Sequence, residues 1–224
     1  MVGKLIVIDG TDGSGKATQT EILVNRLKTD GYNVEVTDFP RYGQKSAGLV
    51  EEYLNGKYGG TNDVDPKVAS IFYATDRYAA SFDMRRWLAE GKIIVSNRYV
   101  AANMGHQGAK FIDAQKRKEY LDWLYNLEYE IFKIPKPDIN IILHVAAEIS
   151  QKMVDGKGRR EYIGEKKRDI HENDINHLKA AEQTYLDIGK NYPGFALIEC
   201  VENGQIMTKE KIAELVWQEV KKII

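Results

Sequence analysis

The chain has 224 residues, within the range of one α/β domain, and its 43% hydrophobic content is ample for a packed core. A formal net charge of −1 argues against broad attraction to nucleic acid or to an anionic membrane. The single cysteine, Cys200, excludes an intrachain disulfide and is expected to be a small buried hydrophobe in a strand. No apolar run approaches about 18 residues, and the N-terminus does not read as a signal peptide. These features favour a cytoplasmic protein.

Short β-branched runs alternate with long helical patterns along the chain. This alternation predicts a mainly parallel sheet covered by helices on both faces. The predicted strands are "LIVID" (5–9), "VEVTDF" (34–39), "KIIVS" (92–96), "INIILHV" (139–145) and "FALIE" (195–199).

The helices have recognisable start and stop signals. The first opens inside a glycine-rich loop and should stop at Gly31, a good C-terminal cap. The second should begin with Asp65 as N-cap and Pro66 in the first turn, and run to Gly91. Two further helices are predicted over 113–133 and after Thr208.

Apolar residues at helical spacing predict which helix faces pack on the core. Tyr73 and Arg77 lie four residues apart on the second helix and share a face. That face differs from the predicted core stripe, so the pair is not expected to pack in that core. An exposed cation–aromatic pair is one alternative for it. The predicted core residues are Thr20, Leu23, Val24 and Leu27 (first helix), Val68, Ile71, Phe72, Thr75, Ala79 and Phe82 (second), Tyr120, Trp123, Leu124, Leu127 and Ile131 (third), and Ile212, Leu215, Val216, Val220 and Ile223 (last).

Two segments do not fit a plain sheet-and-helix core. One, 41–63, contains a helix followed by a glycine-rich loop, and the other, 155–169, is basic and nearly free of aliphatic residues. Both are expected to lie over the C-terminal end of the sheet, where open α/β sheets bind ligands.

The stretch "GTDGSGKATQ" (10–19) is almost a phosphate-binding P-loop. Gly10, Gly15 and Lys16 fit the pattern, and a strand and an amphipathic helix flank the loop as the motif requires. Glycines let backbone N–H groups wrap around phosphates, and the N-terminus of the helix favours anions. We therefore predict a nucleotide site with Lys16 against the β- and γ-phosphates.

Ala17 is the departure from the P-loop pattern, because this position normally supplies a hydroxyl to magnesium. Thr18 cannot replace it, since consecutive helical residues are about 100° apart, but its hydroxyl is expected to reach a phosphate. Magnesium often keeps several waters and takes few protein ligands. The expectation is an ion held mostly by phosphates and water.

Six motifs in order along the chain resemble those of thymidylate kinases, and the resemblance covers nearly the full length. It implies one domain over 1–224 with a five-stranded parallel sheet of the nucleoside-monophosphate-kinase type. It also implies transfer of the ATP γ-phosphate to dTMP for dTTP biosynthesis, a magnesium requirement, and commonly a homodimer. The motifs are "DGTDGSGKATQ" (9–19), "FPRYG" (39–43), "FYATDR" (72–77), "NRYVAANMGHQG" (97–108), "PKPD" (135–138) and "RDIHE" (168–172).

The resemblance assigns the acceptor, dTMP, to the region of about 39–108. It implies that Tyr73 stacks on thymine, that Arg77 hydrogen-bonds a base carbonyl, and that Asn103 contacts the thymine edge. His106 corresponds to an aromatic beside C2′ of the sugar. Gln107 is a further polar candidate, although an ordinary helix-surface role stays open for both His106 and Gln107.

The acceptor phosphate is assigned to residues that follow the second and third strands. Phe39 is expected to form an apolar wall, and either Arg41 or Tyr42 to contact the phosphate. Arg98 is expected to bridge it, because a planar guanidinium binds phosphate bidentately. Asn97 stands where the family usually has aspartate and brings no negative charge.

The remaining site residues also follow from the resemblance. Asp12 is expected to meet the 3′-hydroxyl of the acceptor and, with Glu172, to approach the metal. The basic segment is interpreted as a lid over about 155–170, with Arg160 as the catalytic arginine or Arg159 in its place, although a solvated surface loop or a nucleic-acid patch is the alternative. The full sets are Lys16, Arg98, Asp12 and Arg160 for catalysis, and Gly10, Thr11, Asp12, Gly13, Ser14, Gly15, Lys16, Ala17, Thr18 and Arg159 for ATP.

Two other functions compete with this interpretation. One is a kinase for a different nucleoside monophosphate or for a deoxynucleoside. The other is a catalytically weak P-loop binding protein, supported only by Ala17 and Asn97. A GTPase-like switch would need a guanine-reading N-K-x-D segment, which the sequence lacks.

Overall fold

The computed structural model describes residues 2–150 and 175–224. Their centre is a five-stranded sheet in the order β2-β3-β1-β4-β5, and every neighbouring pair is parallel. This confirms the predicted parallel sheet, with boundaries that shift by a residue or two. The strands are β1 (Lys4–Gly10), β2 (Val34–Asp38), β3 (Ile93–Asn97), β4 (Ile139–His144) and β5 (Phe195–Glu199).

Helices and turns connect the strands much as the sequence predicts. Asp65 caps α3 by accepting a hydrogen bond from the Lys67 amide at 2.8 Å, and Gly31 takes a left-handed φ of 88° just after α1. The helices are α1 (Lys16–Thr29), α2 (Gly48–Leu54), α3 (Pro66–Ala89), α4 (Val100–His106), α5 (Ala114–Tyr125) with a π-helical continuation (Asn126–Ile131), α6 (Ile175–Asn191) and α7 (Lys209–Val220); a small hairpin joins β6 (Val201–Glu202) to β7 (Gln205–Ile206).

Helices cover the sheet on both faces, and successive β1 side chains point to opposite faces. Ile6 and Ile8 join a core cluster with α1 and α7, whereas Leu5 and Val7 join a second cluster with α3, α4 and α5. Cys200 is fully buried directly after β5, where burial raises the pKa of its thiol to about 12. Within the described ranges, no helix has the length and apolarity to cross a bilayer.

The predicted core stripe of α3 is wrong. Val68, Ile71 and Phe82 are 44%, 40% and 59% exposed. The buried face is instead built from small and polar residues, because it packs closely on the sheet and backs a polar cavity. These residues are Ala69, Ser70, Ala74, Asp76, Arg77, Ala80, Ser81 and Met84.

Smaller differences occur on the other helices. Leu215 of α7 is 38% exposed, and Trp217 is buried instead. Ile131 is 63% exposed because the π-helical turn carries it off the buried face of α5. The segment 41–63 forms its own small cluster around Val50 and Tyr53. The basic segment 155–169 lies outside the described residues.

Candidate active site

A cavity opens at the carboxyl ends of β1 and β3, where the sheet topology places ligands. The loop after β1, the loop after β2, and helices α3 and α4 supply its walls. Its lining residues are Asp12, Pro40, Tyr42, Leu54, Tyr73, Arg98, Ala102, Asn103, His106 and Gln107.

The glycine loop beside this cavity depends on backbone shape. Gly13 has a φ of 87°, and a Cβ added there would lie 2.2 Å from the Ser150 carbonyl oxygen, so no other residue fits. Gly15, with a φ of 89°, precedes α1, and no side chain of the described residues caps that helix. The first turn therefore presents its amides as an anion-binding N-terminus.

Lys16 spans the glycine loop. Its Nζ donates to the carbonyl oxygens of Gly10 at 3.0 Å and Thr11 at 2.8 Å, and lies 3.8 Å from the Asp12 carboxylate. Ala17 and Thr18 are both exposed on the first turn of α1. The loop thus carries one buried cation beside an uncapped helix end.

Arg98 is held in an unusual backbone conformation. Its φ is 63°, which is uncommon away from glycine and is concentrated at functional sites. Its amide donates to Ile8 O at 2.9 Å, and the Ser96 hydroxyl donates to its carbonyl at 2.6 Å. The guanidinium is paired with the Asp12 carboxylate. Burial disfavours its charge, but attraction to Asp12 leaves the pKa of Arg98 well above its ordinary value.

Asp38 stands one strand away from Asn97, and sequence reasoning missed it. The two residues are register partners on β2 and β3, and Asn97 Nδ2 donates to Asp38 Oδ2 at 3.0 Å. Loss of hydration raises the pKa of Asp38, despite the amide bond and the attraction of Arg98 and Lys16. A carboxylate is therefore present beside the position where the family motif usually has one.

Asp9 is a second acid that the sequence did not single out. It is fully buried at the end of β1 and accepts hydrogen bonds from the Gly10 amide at 2.8 Å and the Tyr185 hydroxyl at 2.9 Å. Burial raises its pKa, although Arg98 and Lys16 oppose the shift. Asp9 thus connects the start of the glycine loop to Tyr185 of α6.

Tyr73 lines the cavity, and its neighbour Phe72 does not. Tyr73 packs edge-on against Tyr53 at 6.4 Å between ring centroids. Phe72 lies 6.3 Å from Tyr53 and 5.8 Å from Tyr58, within the α2 cluster. The geometry favours Tyr73 as the aromatic that faces a ligand.

His106 and Gln107 are not helix-surface residues, because they are only 7% and 1% exposed and line the cavity. The His106 ring stacks on His177 of α6 at 5.7 Å and packs edge-on against Tyr185 at 5.8 Å. Burial, opposed by Asp12, lowers the pKa of His106 to about 3. The imidazole is therefore neutral at physiological pH. His177 and Tyr185 belong to no motif that would have identified them.

Arg77 lies behind the cavity wall and is 1% exposed. Its Nε donates to Glu128 at 2.9 Å, and its Nη2 also pairs with that carboxylate. Further contacts reach Asn103 Oδ1 at 3.3 Å and Tyr99 O at 3.4 Å. Glu128, fully buried in the π-helical segment, was missed because it is 51 residues away in the chain.

Arg41 and Tyr42 have different surroundings. The Arg41 amide donates to Asp76 Oδ2 at 2.8 Å, its Nε to Asp76 Oδ1 at 2.9 Å, and its Nη2 to Ser46 Oγ at 2.9 Å. Tyr42 lines the cavity. Phe39 packs in the core, 5.5 Å from Tyr99, and leaves Pro40 in the cavity wall.

Several predicted site residues have no structural description. Arg159, Arg160, Glu172 and the lid over 155–170 lie outside the described residues. Within residues 2–150 and 175–224, no group of three or more His, Cys, Asp or Glu side chains is arranged to hold a metal ion. The site thus unites Asp12, Lys16 and Arg98 with the predicted acceptor residues, apart from Phe39, Arg41 and Arg77, which lie outside the cavity lining.

The strand order, the glycine loop after β1 and the arginine-lined cavity define a P-loop kinase of the nucleoside-monophosphate type. A family model described as thymidylate kinase matches residues 8–191. The chain therefore belongs to the thymidylate kinase family.

The similarity to known proteins covers most of the chain. It is 29% identical to the thymidylate kinase of Mycobacterium tuberculosis, covering 82% of this chain and 85% of that protein. It is 30% identical to a probable thymidylate kinase of Thermococcus onnurineus, covering 80% and 84%. The solved thymidylate kinase of Candida albicans shares the fold with a TM-score of 0.74 at 22% identity, covering 98% of this chain and 92% of that one.

Proposed function

We propose that this member of the thymidylate kinase family transfers the γ-phosphate of ATP to dTMP through Lys16, Arg98 and Asp12, giving ADP and dTDP. The observation that carries this assignment is the junction of two sites. A glycine loop for a nucleotide triphosphate meets a cavity that combines an arginine, an aromatic ring and buried amides. Phosphate-to-phosphate transfer needs this adjacency.

The chemistry places few demands on the protein beyond position and charge. A phosphate oxygen of dTMP attacks the γ-phosphorus of ATP, and the bond to the β-phosphate oxygen breaks, so ADP leaves. Lys16 neutralises charge on the transferred group, and Arg98 holds the acceptor phosphate in line. Asp12 orients Arg98 through their ion pair and meets the 3′-hydroxyl of the acceptor.

Magnesium is part of the proposal. The donor set fits an ion held mainly by phosphates and water, because Ala17 offers no oxygen, and Asn97 Oδ1 is buried with no hydrogen-bond partner in the described chain. Asp12 is a carboxylate that lines the cavity and is the first candidate ligand, and Glu172 is a further one. The chemistry that magnesium would supply there is positive charge that neutralises the phosphate oxygens.

The acceptor roles follow the cavity walls. Tyr73 stacks on the base, Asn103 and Gln107 contact its edge, and His106 lies against C2′ of the sugar. Tyr42 contacts the phosphate, because the Arg41 guanidinium is committed to Asp76 and Ser46.

A homodimer in the cytoplasm completes the proposal. The exposed apolar face of α3, which includes Val68, Ile71, Tyr78 and Phe82, supports a second copy as its partner because contiguous apolar surface marks interaction sites. Light scattering tests the mass in solution. A monomer at micromolar concentration contradicts this part alone.

Acceptor choice tests the central proposal. Coupled-assay rates with magnesium and ATP are compared across dTMP, dUMP, dGMP, UMP and thymidine. We expect dTMP to give the highest kcat/KM. A higher value for another acceptor contradicts the assigned specificity, and binding of both nucleotides without dTDP formation supports a non-enzymatic role.

A further inference from the structure

A buried ion pair lies directly behind the acceptor cavity. Arg77 of α3 and Glu128 of the π-helical segment are 1% and 0% exposed, and two guanidinium nitrogens, Nε and Nη2, pair with Glu128 Oε1. Burial disfavours the guanidinium charge, yet attraction to Glu128 raises the pKa of Arg77. Removing either partner would leave an uncompensated buried charge.

The same arginine fixes the orientation of a cavity amide. Arg77 Nη2 donates to Asn103 Oδ1 at 3.3 Å, so this oxygen is turned toward the ion pair. Asn103 is 2% exposed and lines the cavity, and its Nδ2 is buried without a hydrogen-bond partner among the described residues. A buried donor of this kind calls for a ligand acceptor.

The backbone around Glu128 is also specialised. Residues Asn126–Ile131 form a π-helical segment, a rare structure that is frequent at functional sites. The amide of Ile134 donates to the Glu128 carbonyl at 3.1 Å, which holds the end of the segment. The wider turn carries Glu128 inward, while its neighbour Glu130 stays on the surface, where its side chain is 55% exposed.

We propose that Glu128 is a positioning residue for acceptor recognition: it holds Arg77, Arg77 fixes the Asn103 amide, and Asn103 presents an N–H donor to a pyrimidine carbonyl. This inference rests on the proposed function. It makes Glu128 a determinant of base choice without contact to the base. Thymine and uracil carry a carbonyl at C4, whereas cytosine carries an amino group that would face the Asn103 donor and leave it unpaired.

The test compares Glu128→Gln with a matched control, Glu130→Gln. Glutamine keeps the shape and one acceptor but removes the charge that orients Arg77. We expect the KM for dTMP to rise at least tenfold, the KM for ATP to stay within twofold, and the kcat/KM ratio of dTMP to dCMP to fall at least tenfold. The control should match wild type in all three, because Glu130 pairs only with exposed Lys136 in the described chain.

A merely structural role predicts a different pattern. Loss of core stability lowers the melting temperature without changing selectivity between two pyrimidines. A folded Glu128→Gln protein with wild-type KM for dTMP and wild-type selectivity therefore overturns the proposal.

If Glu128→Gln does not fold, the double variant Arg77→Met, Glu128→Met replaces the ion pair with apolar side chains, a change that is often tolerated. Loss of dTMP over dCMP selectivity in this variant supports the proposal, and full selectivity overturns it. Wild-type turnover of dTMP, measured in the same series, distinguishes failure of the proposed function from failure of the role assigned to Glu128. Absence of that turnover contradicts the proposed function, whereas normal turnover with unchanged variants contradicts only the role of Glu128.

Discussion

The donor loop and the acceptor cavity are adjacent, but the loop is formed mainly by backbone groups and the cavity mainly by side chains. The loop is mostly backbone: glycines at positive φ, the helix end after Gly15, and one buried cation, Lys16. The cavity is mostly lined by side chains, several of which are held by an ion pair or a ring contact, as in Arg98 with Asp12 and His106 with His177. The loop should therefore be sensitive at its positive-φ glycines and at Lys16, whereas the cavity should be sensitive to changes in its buried side chains.

The largest effect is expected from a substitution of Lys16, the cationic side chain of the loop. Lys16→Ala removes the cation that we propose neutralises charge on the transferred phosphoryl group. We expect kcat to fall by about 10³-fold or more, because a missing preorganised charge typically costs 10²–10³ or more in rate. Steady-state kinetics measures this, with exposed Lys28→Ala as control. A loss below tenfold would mean that backbone amides alone suffice.

The second prediction separates two neighbours beside the cavity. Arg41→Met leaves the Asp76 carboxylate, 1% exposed, without its arginine, and should lower the free energy of unfolding by about 2 kcal/mol. Tyr42→Phe should instead raise the KM for dTMP several-fold and change stability by less than about 0.5 kcal/mol. Urea denaturation and acceptor titration distinguish them. The reverse pattern would assign the phosphate to Arg41.

The third prediction concerns the neutral imidazole of the cavity. Burial lowers the pKa of His106 to about 3, so between that value and the ordinary 6.5 the unfolded chain binds more protons than the folded one. Its contribution is fully present above pH 6.5 and is lost as pH falls. His106→Phe should reduce the slope of unfolding free energy against pH by about 1 kcal/mol per unit between pH 4.5 and 5.5. An unchanged slope would show that protonation of His106 is compensated.

The smallest effect is expected in the loop itself. Ala17→Ser restores the hydroxyl of the usual motif, but water already fills that role in the proposed site. Magnesium titration of the reaction should show an affinity change within about threefold, under 1 kcal/mol. If wild type is inactive and Ala17→Ser activates it, the loop has been misinterpreted.

The sequence predicted the donor loop better than the acceptor cavity for a physical reason. A glycine loop between a strand and a helix is local, so its spacing in the chain fixes its shape. Strand positions followed from β-branched runs for the same reason. Partners such as Glu128 for Arg77 and Asp76 for Arg41 are distant in the chain, and no periodicity indicates them.

On helix α3, the spacing of apolar residues predicted the wrong buried face. Its apolar residues recur at helical spacing, which normally marks the buried side. Here the buried side is made of alanine, serine, Met84 and two charged residues, Asp76 and Arg77, because it packs closely on the sheet and supports the cavity. The apolar stripe is left exposed, as in Phe82 at 59%.

The hydrogen bond between Asn97 and Asp38 has a consequence for any attempt to repair the family motif. Their side chains are already 3.0 Å apart across two parallel strands. Asn97→Asp would replace an amide–carboxylate pair with two acids in contact, and like charges that close share a proton instead of both ionising. The substitution that looks most conservative against the family pattern would thus create a carboxylate dyad, with a net charge set by pH. In this chain, the Asn97 amide donates a hydrogen bond that favours the ionised form of the neighbouring Asp38.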